Sequence, residues 1–212
     1  MRTCLAAMVA VAAVTTACTT PKPNMTTATY DPTTGQLTTL TADADGDGRV
    51  DTVSRMEGTR ILRIELDLDE NGQVERWDFY RADGTLEKVG LSHQNDGVMD
   101  AVAFYDAGGV LTRMNLSTRR DGTFDRAEYY ADGRLSRSED DINGDGRPDK
   151  WDVFEPVPGD DRTTSGYRIL STAFDDAGRG WPQRRWVYGA QGRVVRVERD
   201  DDGDGTFEAV ER

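Results

Sequence analysis

The residues of this chain that could do chemistry are carboxylates held in a short glycine-containing loop that recurs seven times. Four copies are complete. They read Asp43-Ala-Asp45-Gly-Asp47-Gly48-Arg-Val50-Asp51 and Asp67-Leu-Asp69-Glu-Asn71-Gly72-Gln-Val74-Glu75, then Asp141-Ile-Asn143-Gly-Asp145-Gly146-Arg-Pro148-Asp149 and Asp200-Asp-Asp202-Gly-Asp204-Gly205-Thr-Phe207-Glu208. Each places side-chain oxygens at loop positions 1, 3, 5 and 9 and glycine at position 6. With that spacing a tight turn wraps a hard cation such as Ca2+, the glycine making the sharp bend and the alternate oxygens facing inward.

Three further copies have lost ligands. They are Ser92-His93-Gln94-Asn95-Asp96-Gly97 with Asp100, Ser117-Thr118-Arg119-Arg120-Asp121-Gly122 with Asp125, and Asp175-Asp176-Ala177-Gly178-Arg179-Gly180. These are expected to persist as turns, because glycine and a capping oxygen still serve the backbone. The lone histidine, His93, sits in one of them and is expected to face solvent. One histidine leaves no Ser-His-Asp or Cys-His catalysis and no histidine-based zinc site. The acids occupy repeat positions rather than singular ones, and the Asp-Gly pairs lack the Lys-Ser/Thr of a phosphate-binding loop. The expectation is a protein that is not an enzyme.

The position-6 glycines are Gly48, Gly72, Gly97, Gly122, Gly146, Gly180 and Gly205, so the steps are 24, 25, 25, 24, 34 and 25 residues. A fixed period near 25 marks a repeat protein and sets the fold ahead of any local propensity. After each loop, apolar residues alternate with polar ones, as at Trp77 and Phe79 around Asp78 or Trp151 and Val153 around Asp152. Period-2 alternation of aromatic and β-branched residues reads as a strand with one face buried. A second turn follows at Asp83-Gly84, Gly108-Gly109, Asp132-Gly133 and Gln191-Gly192, and an apolar return strand leads into the next loop. The unit is therefore strand, hairpin turn, strand, loop. The fold class expected is all-β: tandem hairpin repeats of about 25 residues in an elongated antiparallel meander of some fourteen strands. A closed barrel or small propeller is the alternative, since closure removes exposed edges. Residues 26–212 form one domain, and the long step reflects an insertion at 155–166 in one hairpin turn.

Composition supports a thin structure, with only 36% hydrophobic residues and 26 basic against 39 acidic ones. A net charge of −13 repels phosphate backbones and sets nucleic acid aside as a partner. It also argues for bound cations, which would relieve self-repulsion.

At the start of the chain, Arg2 precedes an apolar run from Leu5 to Val14, then Thr15-Thr16-Ala17-Cys18. The run is too short for a membrane span and fits a secretory signal over residues 1–17. The segment resembles bacterial lipoproteins, in which a small residue precedes the lipidated cysteine; Thr15 departs from the aliphatic residue usual there. The resemblance implies export, a lipid anchor at Cys18, a tether over 18–25 and an outer-membrane location.

The loops resemble the calcium loops of EF-hands, dockerins and thrombospondin type 3 repeats. The hairpins, with their Tyr/Phe-x-x-Asp/Gly-Gly turns, resemble the repeats of RHS/YD and MORN-type proteins. The resemblance covers most of residues 26–212 as a repeat grammar, without the helices that flank a true EF-hand loop. It implies Ca2+ at about four sites, through the matched side chains and the position-7 carbonyl, and no catalysis. Carried over, the ligands are Asp43, Asp45, Asp47 and Asp51, then Asp67, Asp69, Asn71 and Glu75 with Asp78 as a closing position-12 carboxylate. The fifth loop offers Asp141, Asn143, Asp145 and Asp149 with Asp152, and the seventh Asp200, Asp202, Asp204 and Glu208 with Glu211. The function implied is a structural or protein-interaction lipoprotein of the cell envelope, stiffened by Ca2+. The alternative is a module that binds polysaccharide or an envelope protein through the irregular 155–190 region, with Trp181 and Trp186 as a surface platform.

Overall fold

A computed structural model describes residues 25–157 and 166–210. The expected signal peptide, Cys18, the middle of the insertion and Glu211 lie outside the described residues. Met25, placed in the tether by sequence, opens the first strand.

The strands are β1 (Met25–Tyr30), β2 (Leu37–Asp43), β3 (Thr52–Glu57), β4 (Arg60–Leu66) and β5 (Arg76–Tyr80). Next come β6 (Leu86–Leu91), β7 (Ala101–Tyr105), β8 (Leu111–Leu116), β9 (Arg126–Ala131) and β10 (Arg134–Asp140). The last are β11 (Lys150–Pro156), β12 (Tyr167–Phe174), β13 (Arg184–Tyr188), β14 (Val194–Arg199) and the short β15 (Glu208–Ala209). All fifteen form a single antiparallel sheet in chain order, and β1 does not pair with β15. The sheet is an open meander, so the barrel and propeller alternatives are excluded. The described residues contain no helix. The insertion does lengthen one hairpin, since Pro156 pairs with Tyr167 and Val157 N–H donates to Gly166 O at 2.6 Å.

Strongly twisted open sheets rarely exceed ~10 strands without curling or splitting, so fifteen strands need a regular device. A bulge supplies it. In each of the seven hairpins the return strand carries one unpaired residue: Thr38, Leu62, Glu87, Thr112, Ser136, Leu170 and Val195. A bulge bends its strand and adds right-handed twist, and repetition at one register spreads the coil evenly. Three of the bulge residues use their hydroxyl to bind the opposite carbonyl: Thr38 to Thr29 O (3.1 Å), Thr112 to Phe104 O (3.1 Å) and Ser136 to Tyr129 O (2.9 Å). The hairpin turns follow ordinary chemistry. At Asp132-Gly133 both residues have positive φ (50° and 72°) between the paired Ala131 and Arg134, the type I′ turn that matches strand twist.

A buried apolar face, expected from the alternation, is not what forms. Among the described residues the buried hydrophobics are Val89, Ala101, Val102, Ala103 and Ala173, while thirteen polar or charged residues are buried. A single-layer sheet has no second layer to cover Trp77 or Phe79, and both stay half-buried. Cross-strand stacking takes the place of a core. One row runs Arg63, Phe79, Lys88, Phe104, Arg113, Tyr129, Arg137, each paired with the next on adjacent strands. Cations lie over rings along it, with Arg63 and Lys88 at 5.8 and 4.6 Å from Phe79, Arg113 at 5.0 Å from Phe104 and Arg137 at 3.6 Å from Tyr129. The long aliphatic stems cover ring surface while their charged ends stay in water.

Candidate metal centre

Meander topology sends every hairpin turn to one edge of the sheet and every Asp-rich loop to the other. The loops stack there as a column. The position-9 carbonyl of each loop accepts the position-1 N–H of the next, at all six junctions from Asp51–Asp67 to Gln183–Asp200, at 2.8–3.0 Å.

Within a loop the backbone is held open by two left-handed residues, at positions 4 and 6. Position 6 is glycine throughout. Position 4 is Gly46, Glu70, Asn95, Arg120, Gly144, Gly178 and Gly203, with φ between 53° and 80°. In the first loop five backbone N–H groups, of Ala44, Gly46, Asp47, Gly48 and Arg49, are met by the loop's own carboxylates. Position 1 accepts from positions 4 and 6: Asp43 from Gly46 (2.6 Å) and Gly48 (2.9 Å), Asp141 from Gly144 (2.6 Å) and Gly146 (2.9 Å), Asp200 from Gly203 (2.7 Å) and Gly205 (3.0 Å). Position 9 accepts from position 2, as with Asp51 and Ala44, Glu75 and Leu68 (2.6 Å), Asp100 and His93 (3.0 Å), Asp125 and Thr118 (2.7 Å), and Asp149 and Ile142 (2.9 Å). These bonds alone account for the residues at positions 1 and 9.

The remaining oxygens distinguish the loops. In the third loop the second Asp100 oxygen binds His93 Nδ1. In the fourth, Asp125 Oδ2 takes Thr118 Oγ1 at 2.8 Å and Arg119 Nε at 3.3 Å. In the fifth, Asp149 Oδ1 takes Asn143 Nδ2 at 2.7 Å. The first two loops lack such donors. Asp51 Oδ1, Asp67 Oδ1 and Glu75 Oε1 are buried without a hydrogen-bond partner, and Asp51 is only 8% exposed. A buried acceptor left unmatched costs about 1–3 kcal/mol, more when charged.

Oxygens of three acids converge within 4.8 Å of one another in four groups among the described residues. These are Asp43, Asp45 and Asp51; Asp67, Asp69 and Glu75; Asp200, Asp202 and Asp204; and Asp45, Asp47 and Glu70. The crowded carboxyls perturb one another. Burial raises Glu75, Leu68 N–H lowers it, and Asp69 and Asp67 raise it further. Asp69 is held below the usual carboxylate range, with the neighbouring Glu75 carboxyl and then the Asn95 amide as the leading causes. Glu70 is pushed up to about 7 by its hydrogen bond to Asp47, by desolvation and by the charges of Asp47, Asp45 and Asp51.

Other expected ligands stand elsewhere. Asp78 is on β5 in an ion pair with Arg76 at 2.7 Å, and Asp152 is buried on β11 between Lys150 and Thr172, both at 2.6 Å. Position 12 lies three residues along a strand that starts near position 9, so its side chain faces away from the loop. Neither residue closes a site. The fifth loop brings no three carboxylates together, because Asn143 turns its amide onto Asp149. Glu208 begins β15 and is exposed, outside its loop's group. His93 is exposed as expected, at 57% of its side chain, yet it is engaged with Asp100.

Trp181 covers the seventh loop, its ring 2.9 Å from where a Cβ on Gly203 would sit, under the guanidinium of Arg179 at 5.5 Å. Trp186 on β13 meets Phe174 edge-on at 4.9 Å, with Arg184 at 4.9 Å. Sequence reasoning missed Glu70. The available signal was that the complete first, fifth and seventh loops carry glycine at position 4 and the second carries an acid.

No family model and no curated protein matches the chain. Among solved structures it is similar to an S. aureus TarM mutant in complex with fondaparinux, alpha-GlcNAc-glycerol and UDP. Identity there is 9% and the TM-score 0.37, over 48% of this chain and 21% of that one. It is similar also to a GtfA/B complex bound to UDP and GlcNAc, at 14% identity and TM-score 0.28, over 56% of this chain and 22% of that one. A third is accessory secretory protein 1, 2 and 3 of Streptococcus pneumoniae, at 12% identity and TM-score 0.26, over 59% and 19%. The chain spans about a fifth of the length of each of these three structures.

Proposed function

We propose that this chain is a Ca2+-binding, non-enzymatic repeat protein, exported and lipid-anchored at Cys18, with a structural or protein-interaction role in the cell envelope. The observation that carries the cation reading is the set of buried, partnerless oxygens of Asp51, Asp67 and Glu75, each in a triad of converging acids. A hard divalent cation satisfies those oxygens and cancels the repulsion around them. Binding then stabilises the fold by mass action. Because the loops stack, an ion in one of them stiffens the edge shared by neighbouring hairpins. The first, second and seventh loops are the sites; the fifth is satisfied without metal. Ca2+ is preferred to Mg2+ because a carboxylate-crowded loop suits a larger coordination number.

The non-enzymatic reading is supported by the groove of about 470 Å3 between the fourth and fifth loops. Its acids are engaged: Asp125 with Thr118, Asp141 with Gly144 and Gly146, Asp145 with Arg147 N–H, and Glu139 with Tyr129 and Arg137. No singular acid pair faces it.

The test is a Ca2+ titration of the chelator-stripped chain, followed by heat of binding and thermal unfolding. At Kd ~0.1–1 mM, typical of extracellular modules, 10 mM Ca2+ adds about 1.4–2.7 kcal/mol per site. Two or more sites raise the melting temperature by roughly 10 °C. Flat heats and an unmoved melt reduce the loops to turn chemistry.

A further inference from the structure

An open sheet ends in two edges, and the two edges of this one are unlike. Native edges are blunted by charge, proline, bulges or shortness, because their free N–H and C=O groups can pair with another chain. One edge follows that practice: β15 is two residues long and contains Glu208. The other is β1, six residues long, which among the described residues pairs with β2 alone. It holds no proline and no charge, and all six residues are exposed, Met25 at 63% and Tyr30 at 58%. Of the other described strands only β7 lacks a charged residue, and β7 is paired on both sides. The bulge of the first hairpin falls on β2, at Thr38, so β1 itself is regular. Thr26, Thr27, Thr29 and Tyr30 are strand formers by type.

We propose that β1 pairs antiparallel with β1 of a second copy of this chain, joining two sheets into one across a two-fold axis. The arrangement of charge argues for this partner and this direction. A chain of net charge −13 repels its own copies, and its stacked Asp-rich loops concentrate acid on one edge of the sheet. Met25 pairs with Asp43, so β1 starts at the loop edge and runs toward the turn edge. Antiparallel pairing turns the second copy end for end and puts the two loop columns on opposite edges of the joined sheet. Parallel pairing lays both columns along one edge and gives a slightly weaker ladder. Within the contact no like charges meet, and threonines on facing strands make favourable cross-strand pairs. Asp31, the acid just past the strand, is turned into its own hairpin, where it accepts Thr33 and Thr34 N–H at 2.8 and 2.7 Å. β15 is a poor substitute as partner, because it is short and brings Glu208 into the ladder. The same strand on both copies makes the contact self-complementary, so assembly closes at two. None of this depends on the cation reading of the loops.

The experiment is sedimentation equilibrium of the full chain in chelator at physiological salt, for wild type, Thr27→Lys, Thr27→Glu and a 1:1 mixture of the two variants. Wild type is expected to show a monomer–dimer equilibrium. Each variant alone is expected to dimerise at least about tenfold more weakly, because like charges then face each other across the joined strands. Thr27→Lys also lowers the overall repulsion between chains, so a weaker dimer in that variant comes from the edge and not from net charge. The mixture is expected to recover dimer as Lys–Glu pairs, which shows at the same time that both variants are folded. Wild type that stays monomeric at about 0.1 mM overturns the proposal, since at most a millimolar contact is left. Variants that dimerise as well as wild type place the contact elsewhere and overturn it equally. Species growing beyond the dimer overturn the two-fold pairing in favour of head-to-tail joining.

Discussion

The first and fifth loops share Asp at positions 1, 5 and 9, glycine at 4 and 6 and arginine at 7, and at position 3 they differ as Asp45 and Asn143. Both bind their own turn in the same way there, Asp45 Oδ1 accepting Asp47 N–H at 3.0 Å and Asn143 Oδ1 accepting Asp145 N–H at 2.8 Å. That bond fixes which end of each side chain points inward. In the fifth loop the other end is an NH2 that satisfies Asp149; in the first it is a carboxylate oxygen, which has no proton to offer the converging Asp51. One loop satisfies its position-9 carboxylate from within, and the other leaves an Asp51 oxygen unmatched. The Asp/Gly pattern therefore builds the turn, and the identity of the third residue decides whether the position-9 oxygen finds a donor inside it. The same lesson holds in the third and fourth loops, where His93, Thr118 and Arg119 supply donors to the position-9 carboxylates.

The strongest way to break the comparison is Asp45→Asn. The new amide takes the geometry of Asn143 and satisfies Asp51. First-loop Ca2+ affinity is expected to fall at least tenfold, since a carboxylate shared by two triads is lost. The metal-free protein is expected to gain about 1–3 kcal/mol, read as a melting temperature several degrees higher in chelator. A lower metal-free melt would show that Asp51 is not waiting for a partner.

The reciprocal change, Asn143→Asp, strips Asp149 of its donor. The expected outcome is a metal-free loss of about 1–2 kcal/mol, recovered in millimolar Ca2+ with one added equivalent bound. Calorimetry with and without chelator checks it. His93→Ala makes the third loop resemble the first at position 2. The effect is smaller, about 1 kcal/mol in metal-free stability, because the ring is exposed and water replaces part of its bond. Denaturant midpoints resolve a change of that size.

Much of this architecture was legible because a period near 25 leaves few topologies, and alternation at Trp77–Phe79 or Trp151–Val153 can only be strand. The strand–turn–strand–loop unit, its order and the long hairpin at the insertion all follow from spacing. The bulges were not legible, because Thr38, Glu87 and Val195 share no residue type and a bulge is a property of pairing. The polar interior was hidden for a related reason: eight of the buried polar residues (Asp43, Asp51, Ser92, Asp100, Ser117, Asp125, Gln183 and Asp200) sit at loop positions 1 and 9. Local sequence marks them as turn formers, and only stacking of the loops encloses them. Asp78 and Asp152 misled because a helical register was borrowed for a strand, where position 12 swings to the far side.

The smallest effect separates capping from coordination by pH. In the sixth loop burial raises the Asp175 carboxyl, but N–H groups of Arg179, Gly180 and Ala177 and the Gln183 amide outweigh it, holding the group at about 2 instead of 3.8. A carboxylate with a depressed folded pKa contributes stability that is complete above its unfolded pKa and disappears as pH falls through the folded one. The contribution of Asp175 is therefore lost between about pH 4 and pH 2. Asp175→Asn is expected to flatten stability across that window while leaving Ca2+ binding untouched, since Ala177 and Arg179 offer no ligand at positions 3 and 5. Asp43 fills the same capping role in the first loop, yet it also belongs to a converging triad. Asp43→Asn should lower both metal-free stability at neutral pH, through weakened caps on Gly46 and Gly48, and Ca2+ binding. If the two substitutions behave alike, the first loop is a turn in the same sense as the sixth, and its third acid adds nothing.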